Sequence, residues 1–484
     1  MKRLRKSAWF LTIVALCLIV ATPAMAGSTT KSLSTNFTLV NLGDGPAEGT
    51  IEYYQPDGSA WGTGSESFTI SQPGGQAVFR QYFSSGTPGN PGLTDGSGSV
   101  VVYADQPLGA VVQIQARSQD PTTMGAYSGL SSGGGSFYVP LAARMRDTAS
   151  GVANTQIIAQ NTGVAAANVD FDLINGDGTT QYTHQQTIQP GAAYTYDLAD
   201  EIASNVPSGW IGSAVVSVAG DGEVAVVSNF FTGHAMQTFN AFPTSSAGTK
   251  WNVPLFTSRL PNSLSTPISI QNVSENTIAV GGLTVTFYPA SGGASFTRSN
   301  TAAIPPAGSY AFNPVVDMGL PSGFEGSAVV EASENIVTFV QMRFISSGEA
   351  AAYEAIRDGE GGTKVTVPLV AKRLANGFAT AVTIQNLSDE VATVDLKYVP
   401  GPESSQPTTV ELNDIEIQPG RSVIQNHRVF VPELPVGWQG SLVVTSNQDV
   451  HAFVQLTFMR AINPNLPSGD NFMAHTAFAQ TIID

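Results

Sequence analysis

Short segments in which apolar and polar residues alternate recur along the chain. Asn168–Ile174 and Val391–Val399 alternate with a period of two, as expected for strands with one buried face. Pro56-Asp57-Gly58 and Gly176-Asp177-Gly178 follow such strands and supply residues typical of hairpin turns. Helical periodicity is nearly absent, so the pattern predicts an all-β protein built from antiparallel strands.

Apolar runs that begin with Gly-Ser predict further hairpins. After Gly212 an apolar strand leads through the polar segment 219–222 into a second apolar strand, Val224–Phe230. After Gly440 a similar strand leads through the polar segment 446–449 into Val450–Phe458. We interpret each polar segment as the turn between two paired strands.

The Gly-Ser motif also marks an internal repeat. It occurs four times at intervals of 114 residues, at Gly98, Gly212, Gly326 and Gly440. The triplet Val-Pro-Leu recurs with the same interval at Val139, Val253 and Val367. With small drifts, an asparagine also recurs at the end of an apolar strand: Asn41, Asn161, Asn272 and Asn386. Three kinds of marker in one constant order predict tandem copies of one module.

The period predicts four modules after a signal peptide. Four periods of 114 account for 456 of the 458 residues that follow residue 26. With Val-Pro-Leu closing each module, the predicted divisions are a signal peptide at 1–26 and modules at 27–141, 142–255, 256–369 and 370–484. Each module has room for seven or eight short strands, which predicts an antiparallel immunoglobulin-like β-sandwich.

The first 26 residues have the features of a cleaved secretory signal. Lys2–Lys6 include four basic residues, an apolar run follows, and Ala24-Met25-Ala26 fits a signal peptidase site. A membrane anchor and lipid attachment at Cys17 are the alternatives. Pro23 interrupts the apolar run and a leucine precedes the cysteine, so export with cleavage is favoured. We therefore predict a secreted protein, extracellular or on the cell surface, without a transmembrane segment in its mature chain.

The mature chain is acidic and sparsely charged. Without the four basic residues of the predicted signal, 17 Lys and Arg face 37 Asp and Glu, a net charge of −20. This charge repels nucleic acid and anionic membranes, so neither is expected as a partner. Cys17 is the only cysteine, so the mature protein depends on burial rather than disulfides for stability.

The recurring asparagines and aromatics each have a structural and a functional interpretation. An asparagine amide can hold a turn, although Asn272 and Asn386 also lie in Asn-x-Ser glycosylation patterns; the copy at 161 lacks the pattern, which favours the turn. In three modules a large aromatic residue lies two residues before Gly-Ser: Trp210, Phe324 and Trp438. The first module has Gly96 at this position. Packing is favoured over sugar stacking for these three, whereas Trp61 falls outside the repeat and is the candidate glycan contact.

The sequence contains no pattern typical of catalysis or metal binding. The five histidines have unrelated positions, and no nucleophile elbow accompanies a strand–helix alternation. The acidic segment 358–362 at a predicted junction could hold a calcium ion, but a flexible linker is favoured. We expect no enzymatic activity, no cofactor and no metal.

One resemblance supports this interpretation. The string Ile-Gln-Asn-x-Ser, a strand with Phe-Tyr or Lys-Tyr, Pro-Gly, and Leu-Pro-x-Gly-[Trp/Phe]-x-Gly-Ser-x-Val-Val resembles the repeats of uncharacterised secreted bacterial proteins. The resemblance covers the whole chain after residue 26. It implies export and tandem immunoglobulin-like sandwiches, and it transfers no catalytic or binding residue.

These features favour a structural or adhesive protein of the bacterial cell surface or extracellular matrix. Modules placed end to end would form a rod roughly 140–180 Å long. Its expected partners are further copies of itself or polymers of the cell surface or matrix. The alternative is an extracellular polysaccharide-binding protein that uses exposed aromatics such as Trp61.

Overall fold

The computed structural model describes residues 12–16, 33–116, 120–200, 205–317, 319–429 and 431–480. These residues form strands and a single 3-10 turn, Thr244–Ser246, and all pairs of strands are antiparallel. The predicted all-β, antiparallel fold is therefore confirmed. Of the predicted signal peptide, all but Thr12–Leu16 lies outside the described residues.

None of the described residues belongs to a helix with the length and apolar character needed to span a membrane.

The strands up to residue 128 form two four-stranded sheets. They are β1 (Thr12–Leu16), β2 (Ser34–Asn41), β3 (Ala47–Tyr54), β4 (Ala60–Ile70), β5 (Gln76–Arg80), β6 (Ser99–Ala104), β7 (Leu108–Gln115) and β8 (Met124–Ser128). One sheet has the order β1-β6-β3-β4 and the other β5-β2-β7-β8.

The next strands form two five-stranded sheets. They are β9 (Ser136–Arg144), β10 (Arg146–Thr148), β11 (Gly151–Asn161), β12 (Ala167–Asn175), β13 (Thr180–Ile188), β14 (Ala193–Asp197), β15 (Trp210–Val218), β16 (Val224–Thr232), β17 (Ala235–Asn240) and β18 (Phe242–Pro243). One sheet has the order β13-β12-β15-β9-β18. The other has the order β10-β11-β16-β17, and its fifth strand, β14, pairs with β11.

In the second half of the chain, one long strand belongs to both layers of each sandwich. The strands are β19 (Gly248–Ser258), β20 (Leu264–Ser265), β21 (Ile268–Asn272), β22 (Leu283–Pro289), β23 (Phe296–Ser299), β24 (Ser309–Phe312), β25 (Phe324–Phe344), β26 (Ala350–Glu354), β27 (Ile356–Arg357), β28 (Gly362–Ala371), β29 (Phe378–Asn386), β30 (Ala392–Pro400), β31 (Val410–Ile417), β32 (Ser422–Asn426), β33 (Gln439–Phe458), β34 (Phe472–Thr476) and β35 (Phe478–Gln480). In one layer the strand orders are β23-β22-β25-β19-β27 and β31-β30-β33-β28-β35. In the other layer, β25 pairs with β21 and β26, and β33 pairs with β29 and β34.

The alternating segments form the strands that their pattern predicts. In β12, Val169, Phe171 and Leu173 are fully buried, whereas the residues between them are aspartates that face outward to half-exposed positions. Gly178, with a φ of +83°, closes the hairpin to β13 by donating its N–H to Asn175 O at 2.9 Å. Sequence alternation therefore identifies the face of each strand that supports the core.

The hairpins predicted after Gly-Ser are wrong. β15 pairs with β9 and β12 in one sheet, whereas β16 pairs with β11 and β17 in the opposite sheet. β33 passes without interruption through the predicted turn at 446–449 and pairs with β30 before it and with β29 after it. The polar segment is the place where the chain crosses between layers, and its turn-like composition does not distinguish a crossing from a hairpin.

The strands that contain Val-Pro-Leu require a correction of the predicted boundaries. β9, β19 and β28 contain the triplet, and each pairs with the Gly-Ser strand that follows it in sequence, β15, β25 or β33. The boundaries after residues 141, 255 and 369 each fall inside one of these strands. The main-chain hydrogen bonds assign the triplet to the segment that follows, so it does not close the segment before it. In the first sheet, β1 takes the corresponding place beside β6.

Four short strands close the molecule into a ring. β8 lies beside β17, β17 beside β26, β26 beside β34, and β34 again beside β8. Two of these junctions contain stacked rings, Phe239 on Phe339 at 4.3 Å and Tyr353 on Phe453 at 4.1 Å between centroids. The predicted end-to-end rod is therefore wrong, because the junctions bury apolar faces that a rod would leave in water.

Candidate ligand-binding cleft

The serine of each Gly-Ser motif makes a contact that repeats around the ring. Each hydroxyl donates to a carbonyl oxygen of a Pro-Gly segment (Pro-Ala-Gly in the third repeat) in the next repeat, and the fourth returns to the first: Ser99 to Gly191, Ser213 to Ala307, Ser327 to Gly420 and Ser441 to Gly74. The donor–acceptor distances are 2.9 Å for Ser213 and 2.7 Å for Ser327. The motif therefore marks the contacts between repeats.

The glycine of the motif is required by a close approach of two strands. At each position, an added Cβ would lie 2.0–2.3 Å from a carbonyl oxygen of the neighbouring strand; the pairs are Gly98 with Tyr54, Gly212 with Ile174, Gly326 with Tyr288 and Gly440 with Val399. Real Cβ atoms do not approach backbone so closely. The recurring glycine is therefore structural.

The recurring asparagines hold the turns at the ends of β2, β11, β21 and β29. In each copy, Oδ1 accepts the N–H two residues on, and Nδ2 donates to two carbonyl oxygens: Asn41, Asn161, Asn272 and Asn386. All four are at most 1% exposed. Both amide hydrogens of the two asparagines in glycosylation patterns are engaged, which leaves none for a glycan.

We expect Asn386→Ala to lower the free energy of unfolding by about 2–3 kcal/mol, because three backbone groups lose the buried amide as their partner. These groups are the carbonyls of Glu390 and Ile417 and the N–H of Ser388. Urea unfolding measures the change. Asp389→Ala, an exposed substitution in the same turn, should change stability by less than about 0.5 kcal/mol. Equal effects of the two variants would refute the role given to the amide.

The aromatics before Gly-Ser are core residues. Trp210, Phe324 and Trp438 are 7%, 8% and 0% exposed. The indole N–H groups of the two tryptophans donate at 2.9 Å, one to Asn175 Oδ1 and the other to Thr408 O. None of the three presents a free ring face to a ligand.

Trp61 is not the exposed aromatic that the sequence suggests, since it is only 4% exposed. An added Cβ on Gly98 would lie 2.5 Å from the Trp61 ring, much as one on Gly440 would lie 2.7 Å from Trp438. Trp61 therefore fills, from β4, the place that the first repeat leaves empty before its Gly-Ser motif. Its indole N–H donates to Thr94 Oγ1 at 3.2 Å, which ties it to the loop between β5 and β6.

That loop, residues 81–98, forms one wall of a large cleft. It has 18 residues, whereas 12, 11 and 12 residues separate β14 from β15, β24 from β25 and β32 from β33. The cleft has a volume of about 880 Å³, within the range of ligand-binding sites, and β14 supplies part of the opposite wall through Tyr194. Tyr82 and Phe83 line it and are 49% and 46% exposed.

Asn90 fixes the loop in the conformation that presents these two rings. Its Nδ2 donates to the carbonyls of Gln81 and Phe83 at 2.9 and 2.7 Å, and its Oδ1 accepts the N–H groups of Gly92 and Leu93 at 3.2 and 2.9 Å. A side chain that bonds both arms of a loop reduces the conformations available to it. The aromatic pair is therefore preorganised before any ligand arrives.

A smaller cavity of about 90 Å³ shares Tyr82 with the cleft as a lining residue. Its lining is rich in amide side chains from the first and last repeats: Asn36, Gln113, Gln115, Asn376 and Gln439. Arg80 also lines it and forms a bidentate ion pair with Glu403 across the junction. Hydrogen bonding by Arg80 lowers the pKa of the Glu403 carboxyl. Tyr82 is the wall shared by the two cavities.

The titratable groups singled out by the sequence do not assemble into a reactive site. His427, His451 and His475 are buried in different surroundings, and burial lowers their pKa values from 6.5 to about 3, 4 and 4. In the acidic segment 358–362, Asp358 pairs with Lys250 at 3.3 Å and Glu360 with Arg357 at 3.2 Å. Within the described ranges, no group of three or more His, Cys, Asp or Glu side chains could hold a metal ion.

The depressed pKa of His475 predicts a pH-dependent contribution to stability. The contribution is complete above the unfolded pKa of about 6.5 and is lost as the pH falls toward 4, since protonation favours the unfolded chain. Replacing His475 with phenylalanine should reduce the stability lost between pH 7.5 and pH 4.5 by about 2–3 kcal/mol. Chemical denaturation at both pH values measures this difference.

The half-buried His184 provides a comparison for this prediction. Desolvation also lowers its pKa, but it stacks on Tyr194 and Tyr196 near the surface. His184→Phe should therefore alter the pH dependence less than His475→Phe. An unchanged pH dependence in His475→Phe would contradict the assignment.

Comparisons with known proteins leave the family open. No family model matches the chain, and no curated protein matches it. Among solved structures, Thermotoga maritima 1070 aligns over 25% of this chain and 96% of its own, with 20% identity and a TM-score of 0.18. The complex of a chaperone with the tip adhesin of CFA/I fimbriae aligns over 40% of this chain and 92% of its own, with 11% identity and a TM-score of 0.12. A bacterial ice-binding adhesin aligns over 72% and 97%, with 11% identity and a TM-score of 0.11.

Proposed function

We propose that this is a secreted, non-enzymatic adhesive or structural protein of the bacterial cell surface or extracellular matrix. In this proposal, it consists of four immunoglobulin-like β-sandwich modules of about 114 residues arranged in a ring. The repeated serine and asparagine contacts support four equivalent modules. Because each Val-Pro-Leu strand joins the following Gly-Ser strand, modules two to four begin near residues 136, 248 and 362.

The observation that carries an adhesive function is the exposed aromatic pair on a preorganised loop. Tyr82 and Phe83 expose about half of their surface beside a large open cleft. Aromatic side chains exposed in this way are typical of binding surfaces, since they contribute contact area at low entropic cost. The buried histidines and paired acids, in contrast, offer no common space in which a substrate could react.

Fractionation of the producing bacterium tests this function. The protein should be recovered from the cell surface, the matrix or the medium, with Gly27 as its first residue by mass spectrometry. A deletion strain should attach less to surfaces or to other cells, and wild-type protein should restore attachment. Recovery from the cytoplasm with an intact first segment would overturn the proposal.

Extracellular polysaccharide binding is the second candidate function. It is favoured by the amide-rich cavity beside Tyr82, because amide groups both donate to and accept from sugar hydroxyls. An adhesive protein and a polysaccharide-binding protein differ only in the surface recognised, and the same cleft serves both.

A further inference from the structure

We propose that the cleft and the adjoining amide-rich cavity form one continuous binding site for a chain of neutral sugars. The proposal deepens the adhesive function above and rests on it. Its central residue is Tyr82, which borders both spaces and can contact a ligand that passes from one to the other. Trp61 also lines the cleft, but it is only 4% exposed and its indole N–H donates to Thr94 Oγ1 of the loop.

The aromatic pair supplies the apolar half of sugar recognition. A pyranose ring has an apolar face of C–H groups that packs on an aromatic ring, and the surrounding water is released on contact. Phe83 stands at a steep angle to Tyr82, with ring centroids 4.7 Å apart, and the Arg80 guanidinium lies 5.4 Å from the Phe83 centroid. These contacts brace the pair, so a ligand meets rings that already have their bound orientation.

Unsatisfied amides supply the polar half. Both polar atoms of the Gln81 side chain are buried at the cleft wall, and no other described residue bonds them. Asn36 Oδ1, in the adjoining cavity, likewise has no partner among the described residues. Unpartnered buried amides are costly, and a ligand with many hydroxyl groups would satisfy them after small rotations of these side chains.

The charges around the site favour a neutral ligand. Asp95 is the charged residue of the cleft lining, and Arg80, in the smaller cavity, is already neutralised by Glu403. The whole chain carries a formal net charge of −16, which opposes the approach of an acidic polysaccharide. A neutral glycan therefore meets less electrostatic opposition than a uronic acid polymer or an acidic peptide.

Affinity gel electrophoresis of the secreted protein tests the proposal. The gels contain a neutral soluble polysaccharide (hydroxyethylcellulose, dextran, galactomannan or xyloglucan) or acidic alginate. We expect at least one neutral polymer to retard the protein while alginate does not. Tyr82→Ala should weaken the retardation constant about tenfold, and Tyr82→Phe should retain most of the binding because the ring face remains.

Two further variants separate recognition from folding. Gln81→Ala should also weaken binding, whereas Val429→Ala, an exposed apolar substitution 72% accessible on the last repeat, should leave binding unchanged. Circular dichroism and thermal unfolding verify that each variant is folded. Binding to alginate alone, no retardation by any neutral polymer, or retardation unaffected by Tyr82→Ala would overturn the assignment. Surface localisation is measured independently, so failure here leaves the adhesive function standing.

Discussion

Trp438→Ala is expected to lower the free energy of unfolding by about 4 kcal/mol, the largest effect of any single substitution proposed for this chain. The indole is fully buried, lies 5.7 Å from the Tyr398 ring centroid in an edge-to-face arrangement, and donates to Thr408 O at 2.9 Å. Truncation therefore opens a cavity and removes the hydrogen bond to Thr408 O. Guanidinium unfolding of wild type and variant gives the difference.

Trp438→Phe is the matched control for this prediction. A phenylalanine occupies the corresponding place in the third repeat, at Phe324, so the fold accepts the smaller ring there. The loss should then be roughly 1–2 kcal/mol, since less volume is removed. A loss below about 1 kcal/mol for the alanine variant would mean that the site collapses or that the tryptophan is not a core residue.

Asp470→Ala should destabilise the ring junction by about 3 kcal/mol near pH 5, because the carboxyl group accepts backbone N–H groups from three repeats. Its oxygens accept the N–H groups of Met236 at 2.9 Å, Ala350 at 3.3 Å and Phe472 at 3.4 Å, and its own N–H donates to Thr122 O at 3.0 Å. Removal of the side chain leaves buried donors without acceptors. Amide hydrogen exchange at Met236 and Ala350 should accelerate before the sheets themselves unfold.

The effect of Asp470→Ala should depend on pH. Burial raises the pKa of the Asp470 carboxyl well above 3.8, so its contribution to stability is present at low pH and is lost as the pH rises through the folded value. The variant should therefore differ from wild type more at pH 5 than at pH 8. Asp449→Ala is the comparison, because it removes an exposed aspartate whose side chain does not bond Met236, Ala350 or Phe472. Equal destabilisation by the two variants would count against a junction role.

Local sequence patterns predict the strands because the alternation of apolar and polar residues in each strand indicates which of its residues are buried. Val169, Phe171 and Leu173 point into the core, and their spacing alone indicates this. The pattern does not contain the pairing partner. Ser441 bonds a carbonyl oxygen 367 residues away, and no feature of its local sequence distinguishes that contact from one within its own repeat. The predicted rod and the predicted module boundaries are wrong because the local pattern does not show which strands pair.

The cleft could have been partly anticipated. Tyr82 and Phe83 are adjacent, which breaks the period of two, and a segment rich in Gly, Pro and Ser follows them. Adjacent large apolar residues in such a segment cannot both face a core. Trp61 is the more conspicuous residue in the sequence because it is a tryptophan outside the repeat, yet it is buried against Gly98 and beneath the loop that carries Thr94. Composition does not reveal which aromatic a loop will cover.

The extended loop 81–98 breaks the rotational equivalence of the ring. A homotetramer of identical subunits would display four copies of every site, whereas a covalently continuous chain can elaborate one quadrant and leave the other three plain. Under the proposed function, each molecule would then have one binding site for its target. Strong attachment would require many molecules close together on one surface, because avidity comes from several sites that bind at the same time.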